Sequence, residues 1–357
     1  MTIMKLSRTI VCAFLAMTAV LSCSKEAPVS KEESPRAASL TVSIAGATRA
    51  TTADTADEGK VSNLQVLVFK NGVIDGYGSA DNASSLTLTT TVGNKTIWAL
   101  VNAPSMASVA YLADFQSKVS SLTGDNARNK FVMAGTISRS LEAESEVEMN
   151  VDRIAARVKI DKITRNFSSS ALSSLSADKF KIIRYYLTNL PDKAKYDFTQ
   201  VYPRTWISSD LNNPATILTT SSLVYDKLST AATLAQSASY STSHSLYCYP
   251  NNSAEDLDSE EDPDDAERIT RLVVECQIDG QYYTYPIPLG AVSYNHSYEI
   301  KELIITRLGN PSNGDNVIDN GENDPILSSS STFKVTVNDW ECVYITSTGE
   351  SQGTVRI

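Results

Sequence analysis

Apolar side chains fall on every second position through much of the chain, the period of a strand with one buried face. The first such run is Ser39-Leu-Thr-Val-Ser-Ile-Ala45, in which Leu40, Val42 and Ile44 point one way and Thr41 and Ser43 the other. Gly46 interrupts it, and Arg49 follows within a stretch of small residues, Ala47 to Thr52, that nothing obliges to fold. Leu64 to Phe69 carries apolar groups on both faces and reads as a strand buried on both sides, closed by the hairpin signal Asn71-Gly72. Val73–Tyr77, Ser84–Val92, Lys95–Val101, Phe131–Arg139 and Glu144–Val151 continue the series as short strands. The period lengthens at Val109, Leu112, Phe115, Val119 and Leu122, which predicts one helix between Pro104 and Gly124.

A second set of strands opens at Arg153–Ile160 and runs through Phe180–Thr188, Ser245–Tyr249, Ile269–Ile278, Gln281–Pro288, Ser297–Arg307 and Thr332–Ile345. Each set holds about seven strands, the number that makes a sandwich of two sheets. The expectation is an all-β chain with short helices in its connecting loops. Its 357 residues suit about two domains, 51–152 and 153–340, meeting near Asp152 at a charged turn and packed on each other.

The flanks read differently. Residues 1–23 have a charged start at Lys5 and Arg8 and an apolar stretch, Thr9 to Leu21, too short to span a bilayer. The ending Val20-Leu-Ser-Cys23 resembles the bacterial lipobox, which implies that Cys23 carries the lipid, palmitate included, and anchors the chain. Ser24-Lys-Glu26 is similar to the acidic tag of surface lipoproteins. Residues 24–38 are a polar tether, so 24–50 joins a tether to the first strand, and Thr51 to Lys60 is a second polar spacer. Beyond Trp340, Val343 and Ile345 alternate, Ser347 to Gly353 is flexible, and Val355 and Ile357 alternate again.

Composition narrows the chemistry. A formal net charge of -10 without any Lys/Arg cluster argues against nucleic acid and against an anionic membrane surface. His244 and His296 are the only histidines, too few and too far apart for a nucleophilic triad or a His-rich metal site. Acidic residues concentrate in two loop-like runs, Ala254–Glu267 and Asn310–Pro325. The second holds Asp315, Asn316, Asp319, Asn320, Asn323 and Asp324, oxygen ligands suited to calcium, but lacks the closing Glu of a twelve-residue calcium loop at the required offset. No metal and no cofactor is expected. Cys248, Cys276 and Cys342 remain after Cys12 and Cys23 are set aside; Cys248 and Cys276 pair only if their strands are neighbours, and buried thiols are the simpler reading. Tyr282, Tyr283 and Tyr285 raise a sugar platform as an alternative to an ordinary alternating strand. No nucleophile motif, phosphate loop or cofactor fingerprint appears, so the chain is not read as an enzyme.

The ordered set is more telling than any one motif. Leu64–Phe69, Ile97–Asn102, Phe131–Gly135, Asp152–Val158, Leu246–Asn251, Tyr282–Leu289, Asn295–Tyr298, Ile304–Gly309 and Val335–Trp340 together resemble the fimbrillin family, subunits of type V pili in oral and gut anaerobes. The resemblance implies two transthyretin-like β-sandwich domains in tandem, supporting adhesion on a fimbrium at the cell surface. It implies an outer-membrane lipoprotein precursor, cut by an Arg-specific surface protease after the first strand, here between Arg49 and Ala50. Loss of Leu40, Val42 and Ile44 would open a slot that another subunit fills with its C-terminal segment, here 341–357 with Val343, Ile345, Val355 and Ile357. Partners would be other copies, other pilus subunits and host or bacterial surface ligands. Arg36 is also followed by Ala, but a cut there leaves the strand in place. A tip or accessory adhesin and a lipid-anchored glycan-binding module are the alternatives.

Overall fold

The computed structural model describes residues 35–45, 58–202, 204–208, 215–242, 244–253, 268–319 and 321–324, and the backbone path of 331–339. From Arg36 onward they belong to one compact unit. The chain is all-β, and among the described residues helices are only short pieces in connections. The first half contains β1 (Ala37–Ala45), β2 (Asn63–Lys70), β3 (Val73–Asp81), β4 (Ser85–Thr91), β5 (Gly93–Val101), β6 (Val119–Ser121), β7 (Met133–Leu141), β8 (Glu144–Asn150) and β9 (Asp152–Arg153). Two sheets result, a three-stranded one in the order β4-β1-β8 and a five-stranded one in the order β3-β2-β5-β7-β9.

The second half contains β10 (Ala156–Ile160), β11 (Lys162–Arg165), β12 (Phe180–Thr188), β13 (Leu190–Pro191), β14 (Lys193–Lys195), β15 (Trp206–Ile207), β16 (Ala215–Thr216), β17 (Tyr225–Thr233), β18 (Ser239–Ser241), β19 (Leu246–Cys248), β20 (Arg271–Ile278), β21 (Gln281–Pro288), β22 (His296–Ile305), β23 (Asn310–Ser312), β24 (Val317–Ile318) and β25 (Ser331–Asp339). One sheet runs β18-β11-β22-β10-β19, with β25 also on β22, and the other runs β17-β12-β20-β21-β23. Pairing therefore changes hands between β9 and β10, although β6 pairs forward with β14. The apolar core is continuous across that change, from Leu40 to Ile305.

Local chemistry explains the turns. Asn71 and Gly72 both take positive φ, 52° and 79°, the primed turn that matches strand twist. Asp279-Gly280 makes the equivalent turn between β20 and β21, with φ of 47° and 87°. The two sheets of the first half meet where β3 has glycine: a Cβ on Gly78 would lie 2.8 Å from Leu86 Cδ1, and one on Gly76 2.8 Å from the Thr89 carbonyl. Side chains of β4 occupy that space instead.

Three expectations need correction. The helix between Pro104 and Gly124 is two short pieces, α1 (Leu112–Gln116) and α2 (Leu122–Asp125), with β6 between them. Phe115 fulfils the helical reading by packing on Trp98 at 4.8 Å, but Val119 is exposed, because Val119–Ser121 gains a backbone ladder with Lys193–Lys195. The strand expected at Arg153–Ile160 is split, since Ile154 hydrogen-bonds to Val132 while Ala155 accepts from Asn295, one residue for each half. The polar spacer Thr51–Lys60 is not solvated at its end, where the Glu58 carboxylate is buried.

Candidate functional site

The first strand is the middle of its sheet. β1 pairs antiparallel with β4, Leu40 opposite Leu88 and Val42 opposite Leu86, and parallel with β8, Val42 opposite Val147 and Ile44 opposite Met149. Alternation is obeyed: Ala38, Leu40 and Val42 are buried and Ile44 is half-buried, packed on the core. Leu88, Val147 and Met149 line the same inner face from the two neighbours. The strand is stitched in from end to end, with Val92 N donating to Arg36 O at 3.0 Å, Ser39 N to Ala143 O at 2.8 Å and Ile44 N to Ser84 O at 2.9 Å. On the outer face Thr41 and Thr87 hydroxyls lie 2.8 Å apart.

β4 has a second attachment that does not involve β1. Asp75 on β3 accepts from Thr90 Oγ1 at 2.5 Å and from Thr91 N at 2.9 Å, and its Oδ2 is 2.7 Å from the buried Lys95 ammonium. Burial would raise the Asp75 pKa, but Lys95 and the two threonines outweigh it and hold the carboxyl well below its ordinary value. The chain beyond the spacer is also fixed. Glu58 meets Arg157 Nη1 at 3.2 Å and accepts from Tyr247 Oη at 2.5 Å, tying its segment to β10 and β19. Burial first, and then the Glu58 charge, push the Tyr247 phenol up, so it stays a neutral donor.

Of the residues singled out from the sequence, Leu40, Val42 and Ile44 thus share one inner face. Arg36 is exposed at the start of β1, where its carbonyl already serves β4. Cys23, Arg49, Ala50, Val343, Ile345, Val355, Ile357, the acidic run 254–267 and Cys342 lie outside the described residues. Cys248 and Cys276 are free and buried in different sheets, and burial pushes the Cys248 thiol up to about 12. The tyrosines make no open platform: Tyr285 is fully buried and donates to Arg307 O at 2.8 Å, Tyr283 packs on the core, and Gly314 lies against the Tyr282 ring. The Asp/Asn-rich loop spends its oxygens on protein donors. Asn316 Oδ1 accepts from Arg184 at 2.7 Å, Asp315 O accepts from the same guanidinium, and Glu322 accepts from Asn313 N at 3.1 Å. Among the described residues no group of three His, Cys, Asp or Glu is placed to hold a metal. His244 sits exposed, 2.8 Å from Asp226.

Sequence reasoning passed over Glu58 and the Asp75–Lys95 pair, which look like ordinary surface charges until the fold buries them. A legible signal it also passed over is Glu144-Ser-Glu-Val-Glu148, whose alternation puts three glutamates on the outer face of β8.

The first half is thus a two-sheet β layer in which β1, Ala37–Ala45, is the central strand of the smaller sheet. Residues 38–163, beginning within β1, match the family model described as Major fimbrial subunit protein (FimA). No curated protein matches this chain significantly. Among solved structures, a fimbrilin of Porphyromonas gingivalis is similar at 12% identity and a TM-score of 0.59, covering 85% of this chain and 97% of that one. A candidate cell adhesion protein of Parabacteroides distasonis is similar at 16% identity and TM-score 0.59, with 86% and 97% covered. Another, from Bacteroides eggerthii, reaches 15% identity and TM-score 0.58, again with 86% and 97% covered. The resemblance to fimbrillins drawn from the ordered strands is borne out. The family match supports a role in pilus structure or adhesion, with other pilus subunits as partners, and indicates a structural protein rather than an enzyme.

Proposed function

We propose that this chain is a structural subunit of a type V pilus. It is exported as an outer-membrane lipoprotein through Cys23, cut after Arg49, and polymerised when the C-terminal segment of another subunit replaces β1. One observation carries the reading: the strand nearest the scissile arginine is a central strand, not an edge. Arg49 stands four positions past Ala45, so the cut falls beyond the strand and leaves β1 held by non-covalent contacts alone.

The energetics suit exchange rather than simple loss. Leu40 and Val42 are fully buried, and at about 1.5–3 kcal/mol each they contribute about 3–6 kcal/mol. An empty slot would also expose two rows of backbone donors and acceptors, on β4 and on β8. A new strand of the same period restores both terms, which is strand addition with complementary pockets. The body has reason to survive the vacancy, because β4 is tied to β3 through Asp75 and the chain past the cut is tied down at Glu58. The tandem division near Asp152 belongs to the same proposal, with the slot in the first domain and the donor after the second.

N-terminal sequencing of pilus-extracted protein tests the reading. Ala50 is the expected first residue; Cys23 or Ala37 would refute it.

A further inference from the structure

The slot described above has a face turned to solvent, and that face is charged on one side. In the parallel ladder Glu144 stands opposite Ser39, Glu146 opposite Thr41 and Glu148 opposite Ser43. All three glutamates are exposed. Across the slot β4 presents Thr89, Thr87 and Ser85 at the same levels. The resident strand therefore brings only hydroxyls to a row of three like charges spaced roughly 7 Å apart. Among the described residues none of the three takes part in an ion pair.

We propose that this glutamate row selects the strand that replaces β1, favouring the 341–357 segment of a second copy through Arg356. The inference rests on the reading that β1 leaves the slot. Arg356 is the one basic residue of that segment and lies between Val355 and Ile357. In an extended strand successive side chains alternate faces, so burying Val355 and Ile357 turns Arg356 outward. If the pair occupies the levels of Leu40 and Val42, Arg356 stands beside Glu146; one step of two residues either way sets it beside Glu144 or Glu148. Reversing the strand direction does not change the face. Charge matching therefore holds in each of these three registers of Val355 and Ile357. It also gives the exchange a direction, because β1 has no cation to offer the row and the incoming segment has one. Glu341 and Glu350, the two acidic residues of the segment, precede Val355 by at least five positions and stand away from the matched levels.

The test uses the full chain with a site-specific protease sequence in place of residues 47–53, cut and then mixed with fluorescein-labelled peptides. The peptides are residues 341–357, the same with Arg356→Glu, and residues 37–45 as the resident strand. An exposed ion pair shifts an equilibrium by up to about fivefold, and reversal adds repulsion, so the Arg356→Glu peptide should bind about tenfold more weakly at low salt. The difference should shrink at about 1 M salt, where charges are screened beyond roughly 3 Å. It should vanish on the Glu144→Gln, Glu146→Gln, Glu148→Gln protein, whose exposed substitutions leave the core untouched. If both long peptides bind equally at low salt, charge selection is overturned and the slot reading stands. If no peptide binds, the resident strand included, the slot reading falls and the selection with it.

Discussion

Once the chain is cut beyond Ala45, Leu40 becomes a measure of how firmly β1 is held. Its side chain is fully buried, opposite Leu88 on β4 and within the core that continues through Val66 and Leu100. Leu40→Ala removes the buried groups and leaves a cavity, which costs about 2–5 kcal/mol. At about 1.4 kcal/mol per tenfold, retention of the strand weakens about 30- to 4,000-fold. In the uncut chain the same loss should appear as a fall of about 2–5 kcal/mol in the unfolding free energy from urea titration. Ser39→Ala is the control, since Ser39 is exposed and the change should stay within about 0.5 kcal/mol, or roughly twofold. The assay is serial dilution of the nicked protein, followed by gel filtration and mass measurement of the retained N-terminal fragment. Leu40→Ala should shed the fragment at concentrations where wild type and Ser39→Ala keep it. Equal retention in all three would mean that the inner face of β1 does not hold the strand, and the slot would lose its physical basis.

Other outcomes follow from the same structure. Arg49→Ala should leave lipidated monomers where wild type gives denaturant-resistant ladders on gels, while Arg36→Ala should ladder normally; equal ladders with Arg49→Ala would remove the cleavage step. Deleting residues 341–357 should stop polymerisation of a stalk subunit, whereas continued incorporation at pilus ends would reassign the protein as a tip. Cys248 and Cys276 should resist iodoacetamide at about pH 8 in the native protein and react once it unfolds, as mass mapping would show, because burial keeps both thiols protonated. Asp75 contributes stability that is complete above its ordinary pKa of 3.8 and fades as the pH falls beneath it, because the unfolded chain then takes a proton that the folded one resists. Asp75→Asn should therefore flatten the loss of urea midpoint between about pH 5 and pH 2, and an unchanged slope would assign the acid sensitivity elsewhere.

Period and turn chemistry were readable in the chain itself. β12 and β21 carry the expected bounds, Phe180–Thr188 and Gln281–Pro288, because β-branched and aromatic residues crowd both runs, and β21 opens straight after the Asp279-Gly280 turn. The inward set Leu40 and Val42 followed from alternation alone. Strands with little apolar contrast were not readable: β17, Tyr225–Thr233, is half exposed along most of its length and earns its place by pairing with β12. The Val119 segment shows the reverse case, a helical spacing overruled by a ladder with residues far along the chain.

Periodicity says which face of a strand is buried, and that much the sequence by itself determined: an all-β chain whose first strand hides Leu40 and Val42. It does not say which strands lie alongside, because partners are chosen by how distant surfaces pack. Only the tertiary structure set β1 between β4 and β8, aligned Ser39, Thr41 and Ser43 with Glu144, Glu146 and Glu148, and buried Glu58 against Arg157. Each of those depends on contacts between residues tens of positions apart, whose energy exists only after the sheets have closed on one another.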